Sequence, residues 1–245
     1  MSDQQVTIQT RDGDCTAHVL TPEGDGPWPA VIFYMDALAI RPAIIDMGQR
    51  LASNGYVVLL PDLFYRYGPH APLDPKAVFA GDFRATVGPM MATTNNAKAA
   101  SDTEAFLAYL DTRTDVAGDT IGTVGFCMGG GMAITAAGTF PERVVAAISF
   151  HGGRLATDEP DSPHLLASKI KAELYIAAAD NDNSYPPEMA ARFEQALDDA
   201  GVTYRAETYE GAAHGWMKTD FPVYDEAAAE RGWAEMLALF GRVLQ

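Results

Sequence analysis

The sequence predicts an α/β fold, with a mostly parallel, twisted sheet, helices on both faces and an N-terminal β-hairpin. Short apolar runs alternate with segments of helical periodicity along the 245 residues, as is typical of sheets built from strand–helix–strand units. The runs at residues 30–34 and 57–60 are apolar throughout, which indicates strands covered on both faces. Neither an internal repeat nor a low-complexity linker is visible, so we predict one domain over residues 1–245.

The predicted strands are short apolar runs bounded by turn residues. The first two flank the turn pair Asp12-Gly13 and therefore predict the hairpin. The third is a continuous apolar run, and Pro61-Asp62 closes the fourth. In order, the predicted strands are residues 6–10, 15–20, 30–34, 57–60, 121–124, 144–150, 174–178 and 204–209.

The predicted helices have apolar residues at helical spacing and recognisable ends. Pro186-Pro187 opens one of them and Gly201 stops it. A proline-rich, aromatic stretch at residues 63–82 predicts an irregular excursion before the second helix. In order, the predicted helices are residues 43–52, 97–110, 132–137, 188–200 and 226–240.

The composition argues against several classes of partner. A formal net charge of −16 disfavours binding to nucleic acid or to anionic membrane surfaces. No apolar run approaches the length of a membrane span, and the N-terminus lacks the basic and apolar regions of a secretory signal. We therefore expect a cytoplasmic protein, a monomer or a homodimer, with no nucleic-acid or membrane partner.

The cysteine count restricts the chemistry further. Cys15 and Cys127 are the two cysteines, too few for a secreted disulfide framework. Cys15 lies in the predicted hairpin, remote in sequence from Cys127, which disfavours a dithiol redox cycle. No Cys/His pair has the spacing of metal ligands. We expect neither a metal nor an organic cofactor.

Cys127 is the most informative residue of the chain. It lies in residues 125–131, Gly-Phe-Cys-Met-Gly-Gly-Gly, directly between a predicted strand and a predicted helix. A nucleophile flanked by glycines at such a junction is the nucleophile elbow of the α/β-hydrolase fold, here with Cys in place of Ser. The N-terminus of the following helix favours a thiolate and a developing oxyanion. The alternative is a buried cysteine in a glycine-rich turn.

An acid and a histidine follow Cys127 on later strand-end loops, in the chain order of α/β-hydrolases. His214 follows the last strand, and we predict that it is the general base. Two carboxylates, Asp180 and Asp182, follow the preceding strand. We favour Asp182 because it stands four residues before the helix-opening Pro186, and Asp180 remains the alternative.

Two backbone N–H groups are expected to bind the oxyanion. One belongs to Met128, the residue after Cys127, and the other to Ala37, in the loop after the third predicted strand. Each such donor is typically worth about 3 kcal/mol in the transition state.

The chain resembles the dienelactone hydrolase family of α/β-hydrolases, the carboxymethylenebutenolidase-like proteins. The resemblance covers nearly the whole chain and rests on residues 125–130 (Gly-Phe-Cys-Met-Gly-Gly), 61–64 (Pro-Asp-Leu-Phe) and 211–215 (Gly-Ala-Ala-His-Gly). It implies a Cys-His-Asp triad, matched here by Cys127, His214 and Asp182. In the family this triad opens a lactone or cleaves an ester through an acyl-enzyme.

The resemblance also implies auxiliary and substrate-binding residues. The family carries a Glu after the third strand that contacts the resting cysteine, and this chain has Asp36 at the matching position, one methylene shorter. The prototype enzymes bind a substrate carboxylate through arginines, for which this chain offers Lys218 and Arg84. Lys supplies charge without the bidentate fork of Arg, so the natural ester is left open.

Several aromatic and apolar residues near predicted strand ends are candidates for a substrate pocket. They are Tyr34, Met35, Tyr65 and Trp216, and a place in the core explains each of them equally well. His151 follows the strand at residues 144–150. We expect it to be structural, with a position bordering the site as the alternative.

We therefore predict a cysteine hydrolase that acts on a lactone or a small carboxylic ester. A thioesterase or a dehalogenase-like activity on the same scaffold is the alternative within this class. A non-catalytic thiol sensor or binding protein is the alternative from another class, and it would form a thiol adduct without releasing an acyl product.

Overall fold

The computed structural model describes residues 1–244, and Gln245, the last residue of the predicted domain, lies outside the described residues. Across the described range the strands are β1 (Ser2–Thr10), β2 (Gly13–Thr21), β3 (Trp28–Tyr34), β4 (Val57–Pro61), β5 (Val116–Phe126), β6 (Val144–Phe150), β7 (Glu173–Ala179) and β8 (Tyr204–Tyr209). They form one sheet in the order β1-β2-β4-β3-β5-β6-β7-β8.

The sheet is mixed, with its antiparallel part at one end. β1 and β2 form an antiparallel hairpin, and β2 also runs antiparallel to β4. From β4 through β3 and on to β8, every neighbouring pair is parallel. Every residue of β4 is buried, as expected for a strand covered on both faces. The predicted hairpin and the mostly parallel sheet are confirmed.

Helices cover both faces of the sheet, as predicted. They are α1 (Pro42–Ser53), α2 (Pro75–Ala80), α3 (Phe83–Met91), α4 (Asn96–Asp111), α5 (Met128–Thr139), α6 (Pro187–Ala200) and α7 (Glu226–Val243). On one face, Arg50 of α1 pairs with Glu230 of α7 at 2.6 Å. On the other face α4 packs against α5.

The excursion between β4 and α4 is more regular than the sequence predicts. It contains α2 and α3 besides a short 3-10 helix at Tyr65–Tyr67. The Asp74 side chain accepts the Lys76 N–H at the start of α2, and the Asp82 side chain accepts the Ala85 N–H at the start of α3. These two aspartates satisfy N–H groups that a helix end otherwise leaves free. The prediction of irregular backbone is therefore wrong for α2.

The hydrophobic core lies on both sides of this sheet. One cluster of buried side chains extends from Ile8 to Leu244, and for this reason we propose that the elements form a single domain. Within residues 1–244 no helix is both long enough and apolar enough to cross a membrane.

Parallel strands place their carboxyl ends at one edge of a sheet, which is where ligand sites form. The loops that follow β3, β5, β7 and β8 all leave from this edge. They carry the predicted site residues, so residues far apart along the chain come together there.

Candidate active site

Cys127 lies in a sharp turn between β5 and α5. Its backbone dihedrals are φ 56° and ψ −119°, a conformation that costs a non-glycine residue about 1–3 kcal/mol. Two hydrogen bonds hold the turn: the Cys127 N–H donates to the Phe150 carbonyl, and the Gly130 N–H donates to the Cys127 carbonyl, both at 3.1 Å. The turn leaves the Cys127 side chain only partly buried. The strained backbone thus presents the thiol at the edge of the sheet.

Two glycines of the predicted elbow are required by close backbone approach. A Cβ on Gly125 would lie 1.8 Å from the Gly129 carbonyl oxygen. A Cβ on Gly129 would lie 2.3 Å from the carbonyl oxygen of Tyr34, at the end of β3. Because no side chain fits at these distances, only glycine allows the first turn of α5 to approach both β5 and β3.

His214 and Asp182 are joined by a short hydrogen bond. The distance between His214 Nδ1 and Asp182 Oδ2 is 2.6 Å, with the His214 side chain 30% exposed and the Asp182 side chain 4% exposed. The other Asp182 oxygen accepts the Ser184 N–H at 2.8 Å and the Ser184 hydroxyl at 2.6 Å. Burial raises the pKa of Asp182, but these bonds to His214 and Ser184 outweigh it, and the pKa is lowered.

Asp180, the alternative acid, makes a different contact. Its Oδ2 accepts the backbone N–H of Gly211 at 3.1 Å, and its own N–H donates to the Ala212 carbonyl at 2.8 Å. Asp180 therefore joins the loop after β7 to the loop after β8, whereas Asp182 is the carboxylate on the histidine.

The surroundings of His214 favour its protonated form. Burial lowers its pKa, but the hydrogen bonds and negative charges of Asp182 and Cys127 together raise it to about 10. An imidazolium beside a cysteine is the counter-charge that a thiolate requires.

Cys127 and His214 line the same cavity, of about 500 Å³. Besides these two residues it is lined by the loop at residues 180–184 and by Ala37, Phe83, Met91, Met128 and Arg154. The walls are mostly apolar. A second cavity of about 300 Å³ adjoins it, since Met91, Met128, Gly153 and Arg154 line both.

The two predicted oxyanion donors both border the cavity. Ala37 lies in the loop after β3, and Met128 is the first residue of α5. Within residues 1–244 neither backbone N–H donates to another backbone group. Their role as oxyanion donors stays a proposal.

Asp36 does not occupy the position that the family resemblance implies. Its carboxylate is 1% exposed and binds the Arg41 guanidinium through both oxygens, at 2.8 and 3.0 Å. It also accepts the Leu38 N–H at 2.8 Å, and Lys218 Nζ lies 3.8 Å away. These bonds replace the expected contact between Asp36 and Cys127, because both Asp36 oxygens are bonded to the Arg41 guanidinium.

None of the five predicted substrate-binding residues lines the cavity that Cys127 lines. Four of them are fully buried, namely Tyr34, Met35, Trp216 and Lys218, and Arg84 is exposed outside the cavity lining. The Tyr34 hydroxyl bonds to Thr103 at 2.6 Å, and Trp216 stacks on Tyr209. The pocket candidate Tyr65 likewise bonds to Thr10 at 2.7 Å.

Lys218 is buried among apolar groups, with the Asp36 carboxylate 3.8 Å from its Nζ. Its Nζ lies 3.4 Å from the centroid of the Phe126 ring and 3.5 Å from the Met47 sulfur. Burial lowers the pKa of Lys218 to about 7, even though the charge of Asp36 raises it.

His151 packs behind His214 as a buried, neutral ring. Its centroid is 5.1 Å from that of His214 and 5.0 Å from that of Trp216. Burial lowers the pKa of His151 well below its usual value, and the charge of His214 lowers it further. Neither ring nitrogen has a hydrogen-bond partner among residues 1–244. His151 supports the His214 ring and does not line the cavity.

Sequence reasoning missed the residues that shape the cavity. Phe83 and Met91 come from α3 in the excursion, where the sequence indicated Tyr65 and Arg84 but neither of these two residues. Arg154 follows β6, is exposed and lines both cavities. Its backbone φ is 57°, and its N–H donates to the Ser184 carbonyl at 2.7 Å. The strand-end argument that selected Asp182 could have found Arg154 as well.

The mixed sheet, the strained cysteine after β5 and the acid–histidine pair after β7 and β8 define an α/β-hydrolase. The family model of the dienelactone hydrolases matches residues 15–244. The chain therefore belongs to the dienelactone hydrolase family and is an ester- or lactone-hydrolysing enzyme of that type.

Individual relatives support the same assignment. The chain is 29% identical over 240 residues to a Synechocystis sp. protein provisionally named carboxymethylenebutenolidase, covering 96% of this chain and 94% of the relative. It is 29% identical over 237 residues to a Bradyrhizobium sp. protein named a probable 2-oxo-3-(5-oxofuran-2-ylidene)propanoate lactonase, covering 95% and 91%. A crystal structure of a provisionally named dienelactone hydrolase from Klebsiella pneumoniae shares the fold, with a TM-score of 0.86, 24% identity and 98% of each chain covered.

Proposed function

We propose that Cys127, His214 and Asp182 form a catalytic triad that hydrolyses a lactone or a small carboxylic ester through an acyl-enzyme. One observation carries the proposal: His214 bonds to Asp182 at 2.6 Å and lines one cavity together with Cys127. A nucleophile, a base and an orienting acid in this order are the parts that acyl transfer needs.

Acylation begins from the Cys127 thiolate and the His214 imidazolium. The thiolate attacks the carbonyl carbon, and the oxyanion receives hydrogen bonds from the N–H groups of Met128 and Ala37. When the tetrahedral intermediate collapses, the ester C–O bond breaks and a thioester on Cys127 remains. His214 donates its proton to the departing alkoxide.

Deacylation reverses these roles. Neutral His214 accepts a proton from a water molecule, and the resulting hydroxide attacks the thioester carbonyl. The C–S bond then breaks, which returns the carboxylic acid product, the thiolate and the imidazolium. For a lactone the alcohol stays attached to the acyl group, so the product is a single hydroxy acid.

The cavity indicates the kind of ester that fits. Apolar side chains of Phe83, Met91 and Met128 form its walls, and these suit an aliphatic or aromatic body. Arg154 brings a cationic group to the same cavity, so a substrate carboxylate would bind there, in place of the expected Lys218 or Arg84. The names of the Synechocystis and Bradyrhizobium relatives point to lactones as the first substrates to test.

The experiment compares Cys127→Ala with Cys15→Ala on an aryl ester, p-nitrophenyl acetate, and on a lactone. We expect Cys127→Ala to lose about 10⁴-fold or more in kcat/KM, because removal of a triad nucleophile leaves only binding and the oxyanion donors. Cys15 is the matched control: it lies in β2, and burial raises its pKa.

Cys15→Ala should keep turnover within about threefold, since its site lies outside the proposed chemistry. Ester turnover by Cys127→Ala at the wild-type rate would contradict the proposal. A wild-type protein that forms thiol adducts but never releases acid would support the thiol-sensor alternative instead.

A further inference from the structure

Arg41 is a buried arginine that touches two of the loops around the proposed site. It stands at the N-cap of α1, at the end of the loop after β3, and its side chain is 1% exposed. A buried guanidinium must find hydrogen-bond partners for its five N–H donors. Arg41 finds them in segments far apart along the chain.

The first set of partners lies in the loop after β3. Nη1 donates to Asp36 Oδ1 at 2.8 Å and to the Ala39 carbonyl at 3.1 Å, and Nη2 donates to Asp36 Oδ2 at 3.0 Å. Asp36 Oδ1 also accepts the Leu38 N–H. The N–H of Ala37 lies between these bonded residues, so its direction depends on how the guanidinium holds the loop.

The second partner lies in the loop after β8. Arg41 Nε donates to Asp220 Oδ2 at 2.6 Å, and Nη2 donates to Asp220 Oδ1 at 3.2 Å. The guanidinium also lies 5.2 Å from the ring centroid of Phe221. Asp220 is six residues beyond His214 in the same loop. One side chain therefore connects the loop of the oxyanion donor with the loop of the proposed base.

We propose that Arg41 is a positioning residue for ester hydrolysis, which sets the Ala37 N–H against the carbonyl that Cys127 attacks by fixing the loop after β3 to the loop after β8. This inference rests on the function proposed above. Arg41 itself touches no reacting atom, and it acts through Asp36, Ala39 and Asp220.

The shape of the guanidinium is central to this role. A lysine keeps the positive charge but presents a single ammonium, which cannot bridge two carboxylates and a carbonyl in fixed geometry. The loop would then remain attached through fewer bonds, with Ala37 displaced from its position. Arg41→Lys is therefore the sharpest variant, because it keeps the charge and removes the geometry.

Two reactions of Cys127 separate positioning from general damage. Alkylation by iodoacetamide forms a C–S bond as iodide leaves, and no oxyanion develops. Acylation by p-nitrophenyl acetate develops an oxyanion that needs the Ala37 and Met128 donors. We expect Arg41→Lys to lose about 10- to 100-fold in kcat/KM for the ester, less than the 10²- to 10³-fold typical of a deleted donor. The alkylation rate should stay within about twofold, because His214 and Asp182 are untouched.

Two further variants complete the test. Arg50→Lys is the matched control, since Arg50 makes the same two-oxygen contact with Glu230 on the far side of α1, and both of its rates should stay at the wild-type value. Asp220→Asn weakens the second half of the bridge at a side chain that is 25% exposed, and it should lower ester turnover selectively but by less.

The outcomes distinguish this inference from the proposed function. Equal losses in alkylation and ester turnover, or unchanged ester turnover, in Arg41→Lys and Asp220→Asn would overturn the positioning role of Arg41. Full ester turnover by Cys127→Ala would instead overturn the proposed function, whatever Arg41→Lys does.

Discussion

Two groups of ionisable side chains meet at the carboxyl edge of the sheet, and they differ in access to the cavity. The open cluster is Cys127, Asp182 and His214, which line the cavity, and the sealed cluster is Asp36, Arg41 and Lys218, which do not. The His214 side chain is 30% exposed, whereas those of Arg41 and Asp36 are 1% exposed and that of Lys218 is fully buried.

The difference teaches that charge and chain position do not by themselves identify substrate-binding residues. The family resemblance implied that Asp36 acts on the cysteine and that Lys218 binds a substrate carboxylate. Here Asp36 binds Arg41 and Lys218 Nζ lies 3.8 Å from the Asp36 carboxylate, and neither residue lines the cavity. A buried ion pair contributes little net stability. Loss of either partner is nevertheless costly, because it leaves an uncompensated charge buried, so the pair constrains the local geometry. The open cluster is available for chemistry, while the sealed cluster holds the loops around it.

The largest expected effect distinguishes the two aspartates after β7. Asp182→Asn should lower kcat/KM for p-nitrophenyl acetate by about 10²- to 10⁴-fold, because a neutral amide neither orients the His214 imidazolium nor stabilises its charge. Asp180→Asn should stay within about threefold, since an amide oxygen can still accept the Gly211 N–H. Steady-state kinetics of the two variants measure the difference directly.

The pair is informative because the two residues are so close in sequence. If kcat/KM fell as much in Asp180→Asn as in Asp182→Asn, the conformation of the loop, and not the carboxylate on His214, would control turnover. A comparison of thermal melting temperatures shows whether either variant is unfolded.

The pH profile tests the charge of the open cluster. His214 has a pKa of about 10, so it keeps the proton that the leaving alkoxide needs up to that pH. We expect kcat/KM to fall about tenfold per pH unit above it. Asp182 raises the pKa of His214, so Asp182→Asn should move this alkaline decline to lower pH. A wild-type profile that declines above about pH 7, near the ordinary value of histidine, would contradict the protonated resting state.

The smallest expected effects concern two cationic residues: Arg154, which lines the cavity, and Lys218, which belongs to the sealed cluster. We expect Arg154→Met to raise KM for p-nitrophenyl hydrogen adipate about tenfold, since a hydrogen bond to a charged group contributes about 1.5–3 kcal/mol and Arg154 is partly solvated. The neutral p-nitrophenyl hexanoate should change less than about twofold.

Lys218→Met should leave KM for both esters within about twofold, because Lys218 lies among Phe126, Phe33 and Met47 outside the cavity. The free energy of unfolding should change by no more than about 1–2 kcal/mol, as burial of the ammonium offsets its attraction to Asp36. A rise in KM for the adipate ester alone in Lys218→Met would contradict this account and show that Lys218 contributes to binding of the substrate carboxylate.

The fold and the geometry at the open cluster could be predicted from local rules. Glycines around Cys127 indicate a crowded turn, and parallel strands bring their carboxyl ends together whatever their order along the chain. The spacing of Asp182 from Pro186 placed it correctly against His214. The roles of these three residues in catalysis stay a proposal.

The sealed cluster could not be predicted because it depends on contacts across the whole chain. The burial of Asp36 depends on Arg41, and Arg41 in turn bonds to Asp220, 179 residues away in sequence. Tyr34 and Trp216 stand near strand ends, but their orientation depends on packing partners such as Thr103 and Tyr209. The helices of the excursion supplied cavity walls where sequence patterns indicated only loop.

The most direct test of the central claim uses p-nitrophenyl pivalate as the substrate, because its bulky acyl group slows deacylation. The reaction is quenched with acid, and the peptides of the enzyme are analysed by mass spectrometry. We expect a burst of one p-nitrophenolate per chain and one pivaloyl thioester on Cys127, which decays at the rate of steady turnover. Cys127→Ala should show neither the burst nor the adduct. Turnover without a burst, with Cys127 unmodified throughout, would contradict the acyl-enzyme account.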